Sequence, residues 1–240
     1  MKSYFELRNV APDYYTEYVI PHWLRAQLAG IGPGSRILDF GCGFGQLVGA
    51  LKREGYTRVE GADLETAAIS HGRKLGHEIH DLTDDQGFYE RNRAQYDVIV
   101  TLHVLEHIPK DSVISTVTRL RSLLTPDGCL IMAVPNAQAF TGCYWAYEDF
   151  THETLYTSGS AYYVLKAAGF EEVRFLDIDC TSGLASLKKA ARRASWRLFN
   201  AYYNFMCRLL ANATHAPSPN IFSYELKVVG RNARRSARSG

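Results

Sequence analysis

One stretch decides the fold of this chain: Ile37-Leu38-Asp39-Phe40-Gly41-Cys42-Gly43-Phe44-Gly45-Gln46-Leu47. The apolar run from Arg36 to Phe40 predicts a buried strand, glycines then follow at every second position, and a helical pattern runs from Gln46 to Glu54. A strand, a glycine turn and a helix N-terminus together form a binding site for a nucleotide-like ligand. The glycines permit backbone conformations and close approaches that a Cβ atom would block.

The spacing of these glycines distinguishes between two kinds of ligand. A dinucleotide fingerprint is G-x-G-x-x-G, whereas here the third glycine comes one residue early and Asp39 lies two residues before the first. A carboxylate there repels a pyrophosphate and attracts an ammonium group. S-adenosylmethionine carries an amine and a sulfonium but no phosphate. The stretch resembles motif I of the class I S-adenosylmethionine-dependent methyltransferases, with a glycine turn of another α/β protein as the alternative.

Two more acids follow predicted strands and fit a nucleoside ligand. Asp63 ends a short strand, Arg58 to Ala62, where a carboxylate can accept hydrogen bonds from a ribose diol. Asp81 follows a third strand, Glu78 to His80, and in the family it resembles an acid that contacts the adenine amine; a turn cap is the alternative role. The resemblance implies that the cofactor-binding residues are Asp39, Gly41, Cys42, Gly43, Asp63, Leu64, Asp81, Leu82, Leu102 and His103.

The next segments resemble the later motifs of the same family in the same order. A fourth apolar strand, Tyr96 to Leu102, precedes His103-Val104-Leu105-Glu106-His107-Ile108-Pro109, a helix over 112–124 and a fifth strand over 129–134. Helices between most strands predict an α/β fold with a doubly wound, mostly parallel sheet. The resemblance implies seven strands, a Rossmann-like methyltransferase fold with helical additions, and an antiparallel final hairpin of 172–179 and 221–230.

The chain divides into a predicted N-terminal helical cap (1–34), a methyltransferase domain (35–230) with an amphipathic helical insertion at about 182–215, and a flexible basic tail (231–240). In the cap, Asp13 is a plausible helix N-cap, and Pro21 should break the helical pattern of 13–30 into two short helices or kink it.

Composition limits the possible partners and compartments. The 240 residues carry a formal net charge of +2, which is too small to argue for nucleic acid, so nucleic-acid binding is not expected. The five cysteines are scattered and odd in number, which favours reduced thiols. The start, Met1 to Glu6, has no apolar core of a signal peptide behind it. We therefore expect a cytoplasmic protein, with peripheral attachment to the inner membrane face as a further hypothesis.

The polar residues after the fourth strand are the candidate catalytic group. On a helical turn His103, Glu106 and His107 would share one face, at i, i+3 and i+4. His152, which follows a loop rich in aromatic residues, could close over the same place. Methyl transfer to a hydroxyl requires in-line positioning and removal of a proton. We predict His107, His152 and Glu106 as catalytic residues, with one histidine as a metal-free general base in the first of three alternatives.

The second alternative is a divalent metal held by His103, Glu106, His107 and His152. This set resembles the E-x-x-E-H site of small-RNA 2′-O-methyltransferases and of some ubiquinone-pathway O-methyltransferases, but His103 replaces the first Glu. Three imidazoles and one carboxylate suit a transition metal better than magnesium. In the third alternative these residues are structural.

The insertion near the C-terminus predicts a basic amphipathic helix. Its apolar residues fall three or four apart, namely Leu184, Leu187, Ala191, Ala194, Leu198, Tyr202, Phe205 and Leu209. Lysines and arginines lie between them, and no acidic residue occurs from Cys180 to Tyr224. The apolar stripe could pack on the domain or on a second subunit, as in a homodimer. Alternatively, the 184–210 helix meets an anionic membrane or glycan carrier.

Taken together, these features predict an S-adenosylmethionine-dependent O-methyltransferase. The Asp149-x-Thr151-His152 sequence beside the aromatic loop resembles bacterial methyltransferases of surface polysaccharide pathways, which implies a sugar hydroxyl as acceptor. Aromatic rings can stack on sugar faces while polar groups orient the hydroxyl. The alternatives are a quinone or phenolic acceptor, and a membrane-associated S-adenosylmethionine-binding protein without turnover.

Overall fold

Seven strands form one sheet in the computed structural model, which describes residues 4–8, 17–83, 87–213 and 216–232. The strands are β1 (Arg36–Phe40), β2 (Arg58–Asp63), β3 (Glu78–Asp81), β4 (Tyr96–Leu102), β5 (Leu124–Pro135), β6 (Glu172–Phe175) and β7 (Glu225–Arg231). Their order is β3-β2-β1-β4-β5-β7-β6. Of these seven strands, β7 alone runs in the direction opposite to the others. The predicted doubly wound, mostly parallel sheet with an antiparallel final hairpin is confirmed.

Helices flank the sheet and connect most of its strands. They are α1 (Tyr4–Leu7), α2 (His22–Leu28), α3 (Gln46–Arg53), α4 (Thr66–Lys74), α5 (Phe88–Arg91), α6 (Val113–Leu123), α7 (Gly142–Glu148), α8 (Ser158–Ala167) and α9 (Ser186–Leu209). A single 3-10 turn, Leu105–His107, follows β4.

Alternating residues of the central strands build two hydrophobic cores, one on each face of the sheet. Ile37 and Val98 pack with α2 and α3, whereas Leu38 and Ile99 pack with α6 and α8. Because side chains alternate along a strand, a continuous apolar run such as Arg36–Phe40 fills both cores. The predicted bounds of this strand, Arg36 to Phe40, agree with β1, because its side chains are buried in both cores.

The C-terminal hairpin is shorter than the sequence predicts. The predicted strand over 172–179 ends at Phe175, and left-handed backbone at Asp177 (φ 45°) and Cys180 (φ 50°) breaks it. The predicted strand over 221–230 begins only at Glu225. In contrast, β5 extends back to Leu124 through a register shift against β4, so that Thr125–Gly128 form a bulge within the strand and not a free turn.

Two helical predictions also need correction. The segment 135–151, predicted as an aromatic loop, contains α7, whose N-terminal turn is closed by the Trp145 amide donating to the Thr141 carbonyl at 3.1 Å. Of the predicted helical region 13–30, only α2 is helical among the described residues, and it begins directly after Pro21. The predicted cap at Asp13 and the tail beyond Asn232 lie outside the described residues.

The helix of the insertion forms as predicted, as α9, but its apolar stripe does not pack on the domain. None of its residues is buried, and Leu187, Leu198, Tyr202, Phe205 and Leu209 are all exposed. Of the alternatives that the sequence leaves open, packing of the stripe on its own domain is therefore not observed, and the second-subunit and membrane alternatives stay predictions. Among the described helices, none combines the length and the apolar character that a bilayer span requires.

Candidate active site

The glycine turn connects β1 to α3 in left-handed backbone. Gly41, Gly43 and Gly45 have φ values of 79°, 51° and 83°. A Cβ atom on Gly41 would collide with the side chain of Val104, which belongs to the segment after β4. Gly41 is therefore needed both for its backbone conformation and for the close approach of the two strand ends.

Asp39 is the second-last residue of β1. Its carboxyl is buried, with only 4% of the residue surface exposed. Burial, with a smaller contribution from the nearby Asp63 carboxylate, raises the pKa of Asp39 to about 8. A cation placed against this group would favour its ionised form. Asp39 is thus suited to an ammonium or sulfonium ligand and unsuited to a phosphate.

Asp63 joins the glycine turn to the end of β2. Its Oδ2 accepts a hydrogen bond from the Gly43 amide at 2.7 Å, and its Oδ1 accepts from the amides of Leu64 (2.7 Å) and Glu65 (2.9 Å). A carboxylate has about four acceptor positions, so this arrangement leaves about one for a ribose hydroxyl. Holding the turn is a second task of Asp63 that the sequence did not predict.

The remaining predicted cofactor residues line the same edge of the sheet. Asp81 closes a local turn, because its Oδ1 accepts hydrogen bonds from the amide (2.9 Å) and the hydroxyl (2.6 Å) of Thr83. This is the turn-cap alternative, and it leaves the adenine contact as a prediction. Leu82 and Leu102 pack against the cores, Cys42 is buried, and Leu64 is exposed.

A cavity of about 270 Å³ opens after β4, where the lining residue His103 precedes Val104, the neighbour of Gly41 in the glycine turn. Side chains from five parts of the chain line it: the N-terminal α1 segment, the segment after β4, the end of β5, the segment from α7 to His152, and the residue before β7. The lining residues are Tyr4, Arg8, His103, Glu106, His107, Pro135, Trp145, Glu148, Asp149, His152 and Tyr224. All four residues of the predicted catalytic and metal group therefore lie at one cavity.

Hydrogen bonds set the protonation of His107. The Asp149 carboxylate accepts from the Thr151 hydroxyl at 2.7 Å, so the Thr151 oxygen must accept from His107 Nδ1, which lies 2.8 Å away. Burial would raise the pKa of Asp149, but hydrogen bonds from Tyr4 and Thr151, together with Arg8, lower it to about 2. Burial lowers the pKa of His107 itself. The neutral ring therefore keeps the lone pair of Nε2 free to accept a proton or a metal.

In His152 a hydrogen bond fixes the same tautomer. Its Nδ1 lies 2.6 Å from the Trp145 carbonyl oxygen, which can only accept, so Nδ1 carries a hydrogen and the lone pair of the neutral ring lies on Nε2. The rings of His107 and His152 lie 4.8 Å apart between centroids. When both rings are neutral, the site thus presents two imidazole lone pairs side by side.

Glu106 completes a group of three possible metal ligands. Its side chain is fully buried, and no hydrogen bond from the described residues reaches its carboxylate oxygens; its ion-pair partner is His103, whose Nδ1 lies 3.4 Å from Oε1. One ligand atom each from Glu106, His107 and His152 lies within 4.8 Å of the others. A divalent metal would satisfy the buried oxygens, so these three residues fit the metal alternative, in which they would hold the ion and the ion would polarise the acceptor oxygen.

His103 bridges Glu106 of this group to Glu225, a carboxylate outside it. Its Nδ1 lies 3.4 Å from Glu106 and its Nε2 lies 3.2 Å from Glu225. Burial lowers its pKa, but the two carboxylates outweigh burial and raise it to about 10. With both nitrogens engaged, His103 does not provide the metal ligand that the sequence predicts for it. Its backbone is left-handed, with φ 55°.

Sequence reasoning missed several residues of this cavity. Glu225 on β7 pairs with His103 and with the buried Lys227 at 3.4 Å. Tyr4 donates to Asp149 at 2.6 Å, and Arg8 pairs with Glu148 at 2.9 Å, so that α1 covers the cavity. These residues come from distant parts of the chain and belong to no motif. The only sequence signal for this cavity is Asp149-x-Thr151, and the sequence does not show that Thr151 forms a hydrogen bond with a histidine.

Comparisons with known proteins agree with this geometry. The family described as methyltransferase domain matches residues 13–174. The fold is similar to a SAM-dependent methyltransferase from Archaeoglobus fulgidus, with a TM-score of 0.64 and 14% identity over 95% of this chain and 98% of that one. It is also similar to an S-adenosylmethionine-dependent methyltransferase from Mesorhizobium loti, with a TM-score of 0.54 and 17% identity over 93% and 99% of the two chains.

Curated relatives match a smaller part of the chain. A ubiquinone biosynthesis O-methyltransferase from Actinobacillus pleuropneumoniae is 33% identical over 112 residues, which are 43% of this chain and 47% of that protein. One from Nitrosococcus oceani is 36% identical over 125 residues, or 50% and 49% of the two chains. The chain thus spans about half the length of the curated relatives it matches.

Proposed function

Because this chain belongs to the methyltransferase domain family, we propose that it is an S-adenosylmethionine-dependent O-methyltransferase whose acceptor is the hydroxyl of a phenolic or quinol-type small molecule. The observation that carries the proposal is the pair of Nε2 atoms of His107 and His152, beside the buried Glu106, in the cavity that opens after β4. When bound, S-adenosylmethionine supplies an electrophilic methyl group on a sulfonium.

The residues of the chain divide the remaining work. Asp39 and Asp63 hold the cofactor at the ends of β1 and β2. One imidazole Nε2 would accept the proton of the acceptor hydroxyl, and bound S-adenosylmethionine would supply the methyl group for in-line transfer to that oxygen. The buried carboxylate of Glu106 stabilises the imidazolium that this proton transfer creates.

The lining of the cavity favours a flat aromatic acceptor. Arg8 and Glu148 pair with each other, and Asp149 is occupied by Tyr4 and Thr151. These polar groups are therefore already satisfied and offer little to the several hydroxyls of a sugar. The rings of Trp145 and Tyr224 lie 5.9 Å apart and provide apolar surface for stacking. The names of the curated relatives support the same acceptor class. We therefore prefer a phenolic or quinol hydroxyl to the sugar hydroxyl that the sequence predicts.

The test is product formation from a panel of acceptors. The protein is incubated with S-adenosylmethionine and, separately, with catechols and quinols, nucleotide sugars, and glycans, and the products are analysed by mass spectrometry. We expect a methylated product and stoichiometric S-adenosylhomocysteine with a phenolic acceptor. Methylation of the sugars alone would overturn the acceptor class. Cofactor binding without turnover on any acceptor would support the non-enzymatic alternative.

A further inference from the structure

Helix α9 is attached to the domain along one side only. Phe222 contacts the rings of Phe199 and Tyr203, with centroids 4.7 and 5.1 Å away, and the Asn220 amide donates to Asn204 at 3.0 Å. Nearer the N-terminus of the helix, Arg193 donates to Asp179 at 2.8 Å. These contacts hold the helix in a defined orientation against the domain.

The apolar stripe of α9 lies on the opposite side. Successive helix residues are rotated by about 100°, so Phe205 projects roughly opposite to Tyr203. Leu187, Leu198 and Phe205 are 85%, 74% and 62% exposed. A surface helix normally turns its apolar stripe inward. Here the inward side is mixed and the apolar stripe faces solvent.

Positive charge flanks the exposed stripe on both sides. By the same rotation, Lys188 lies on one side of the stripe and Arg197 and Arg208 lie on the other. The other three basic residues of α9 lie nearer the attached side, namely Lys189, Arg192 and Arg193. No acidic residue occurs anywhere between Cys180 and Tyr224. A helix with a large apolar moment, a basic polar face and aromatic residues on its apolar face is suited to the interface of an anionic membrane.

Charge also decides against a second copy of this chain as the occupant of the stripe. Pairing two α9 helices through their apolar stripes would bring two sets of basic side chains together, and neither helix has an acidic residue to neutralise them. An anionic surface would instead neutralise the charge while the apolar side chains insert between the lipids.

A neighbouring aromatic residue extends the exposed apolar surface. Phe140 is 88% exposed, and its ring contacts Phe199 of α9 at 5.6 Å between centroids. Phe140 lies two residues before α7, which contributes Trp145 and Glu148 to the cavity. The exposed apolar surface is therefore not confined to one helix.

We propose that the apolar stripe of α9, defined by Leu187, Leu198, Tyr202, Phe205 and Leu209, is a docking surface for an anionic lipid bilayer, with the helix lying in the plane of the interface. This proposal does not depend on the acceptor or on turnover. The bilayer would be a partner of the α9 surface, and neither the cofactor site nor the acceptor site depends on it.

The test is sedimentation of the full chain with lipid vesicles. One set contains only phosphatidylcholine, and the other contains equal parts of phosphatidylcholine and phosphatidylglycerol. We expect binding to the anionic set at low salt and at least about a tenfold weaker partition as ionic strength rises past roughly 0.1 M. Leu198→Ser with Phe205→Ser should also lower the partition about tenfold, because both side chains lose their burial in lipid.

Matched controls separate the stripe from general surface chemistry. Leu75→Ser with Tyr163→Ser removes two equally exposed apolar side chains elsewhere and should leave vesicle binding unchanged. Lys188→Gln, Arg197→Gln and Arg208→Gln should weaken binding, whereas Arg58→Gln, Lys74→Gln and Lys110→Gln alter the net charge equally and should have little effect. Because no residue of α9 is buried, circular dichroism should show every variant folded.

Three outcomes would overturn the proposal. The first is equal binding to neutral and anionic vesicles, and the second is no binding to either. The third is a stable dimer in light scattering that dissociates in the Leu198→Ser, Phe205→Ser variant, which would assign the stripe to a second copy of the chain.

Discussion

His107 and His152 lie with ring centroids 4.8 Å apart, and each uses Nδ1 to donate a hydrogen bond, to Thr151 and to the Trp145 carbonyl. In its neutral form each ring therefore has its lone pair on Nε2, in the same cavity. Because the acceptors of these hydrogen bonds are set by the fold, both rings are preorganised to act through Nε2, as bases or as ligands.

The first prediction concerns the two histidines. His107→Ala and His152→Ala should each lower kcat by roughly a hundred- to ten-thousand-fold, because each removes an Nε2 that can accept a proton. Calorimetry should show nearly unchanged S-adenosylmethionine binding.

Thr151→Val should have a smaller effect, since it removes only the hydroxyl that orients His107. His22→Ala, an exposed histidine that does not line the cavity, is the control. Full turnover in both cavity variants would exclude a role for either ring in proton transfer.

The second prediction separates a metal site from a metal-free base. If Glu106, His107 and His152 hold a metal, elemental analysis should find it in stoichiometric amounts, a chelator should abolish activity, and a transition metal should restore it. Glu106→Gln would then be about as damaging as His152→Ala. A metal-free base instead predicts chelator-resistant activity that rises with pH through the histidine range. The hydrogen-bonding of His103 predicts that His103→Ala leaves the metal content unchanged in either case.

The third prediction concerns Asp39. Its pKa of about 8 means that the free protein holds a proton there at neutral pH, and the ionised form is the one that attracts an ammonium group. We expect S-adenosylmethionine affinity to increase as pH rises toward 8, with proton release on binding measured by calorimetry in buffers of different ionisation enthalpy. Asp39→Asn should weaken binding and remove this pH dependence. A pH-independent affinity in the unmodified protein would contradict it.

Asp39 has an opposite effect on the stability of the free protein. The unfolded chain loses the proton near the ordinary pKa of about 3.9, whereas the folded chain keeps it up to about 8. Between these values the folded state binds more protons, so this group lowers the free energy of unfolding as pH rises. Asp39→Asn should therefore raise the Tm of the free protein most clearly at mildly alkaline pH.

The fourth prediction concerns the buried cation behind the cavity. Lys227 lies 3.2 Å from Asp177 and 3.4 Å from Glu225, and all three side chains are nearly buried. Lys227→Met should lower the free energy of unfolding by about 3 kcal/mol, because the buried Asp177 then lacks its cation and Glu225 keeps only His103. Lys166→Met removes an exposed lysine and should change it by less than about 0.5 kcal/mol. Urea titration compares the two, and equal effects would show that the buried network contributes nothing specific.

Local sequence patterns were enough to predict the parallel strands and the cofactor edge. The runs at 36–40 and 96–102 are mostly apolar, as strands buried on both faces require, and the three glycines at alternate positions favour left-handed backbone in the turn after the first run. These features are local, because a few neighbouring residues carry all the information. The family resemblance followed from them, whereas the strand order comes from the structure.

Only the tertiary structure decided which distant groups meet at the cavity. His103, which shares a short motif with His107, turns toward Glu225, more than a hundred residues away in the chain, because its left-handed backbone and β7 bring them together. Tyr4 and Arg8 reach the cavity through contacts with Asp149 and Glu148 that no spacing reveals. The apolar stripe of α9 was evident from its periodicity, but periodicity does not give direction. Phe222 and Asn220 hold the other side of the helix, and so turn the stripe outward.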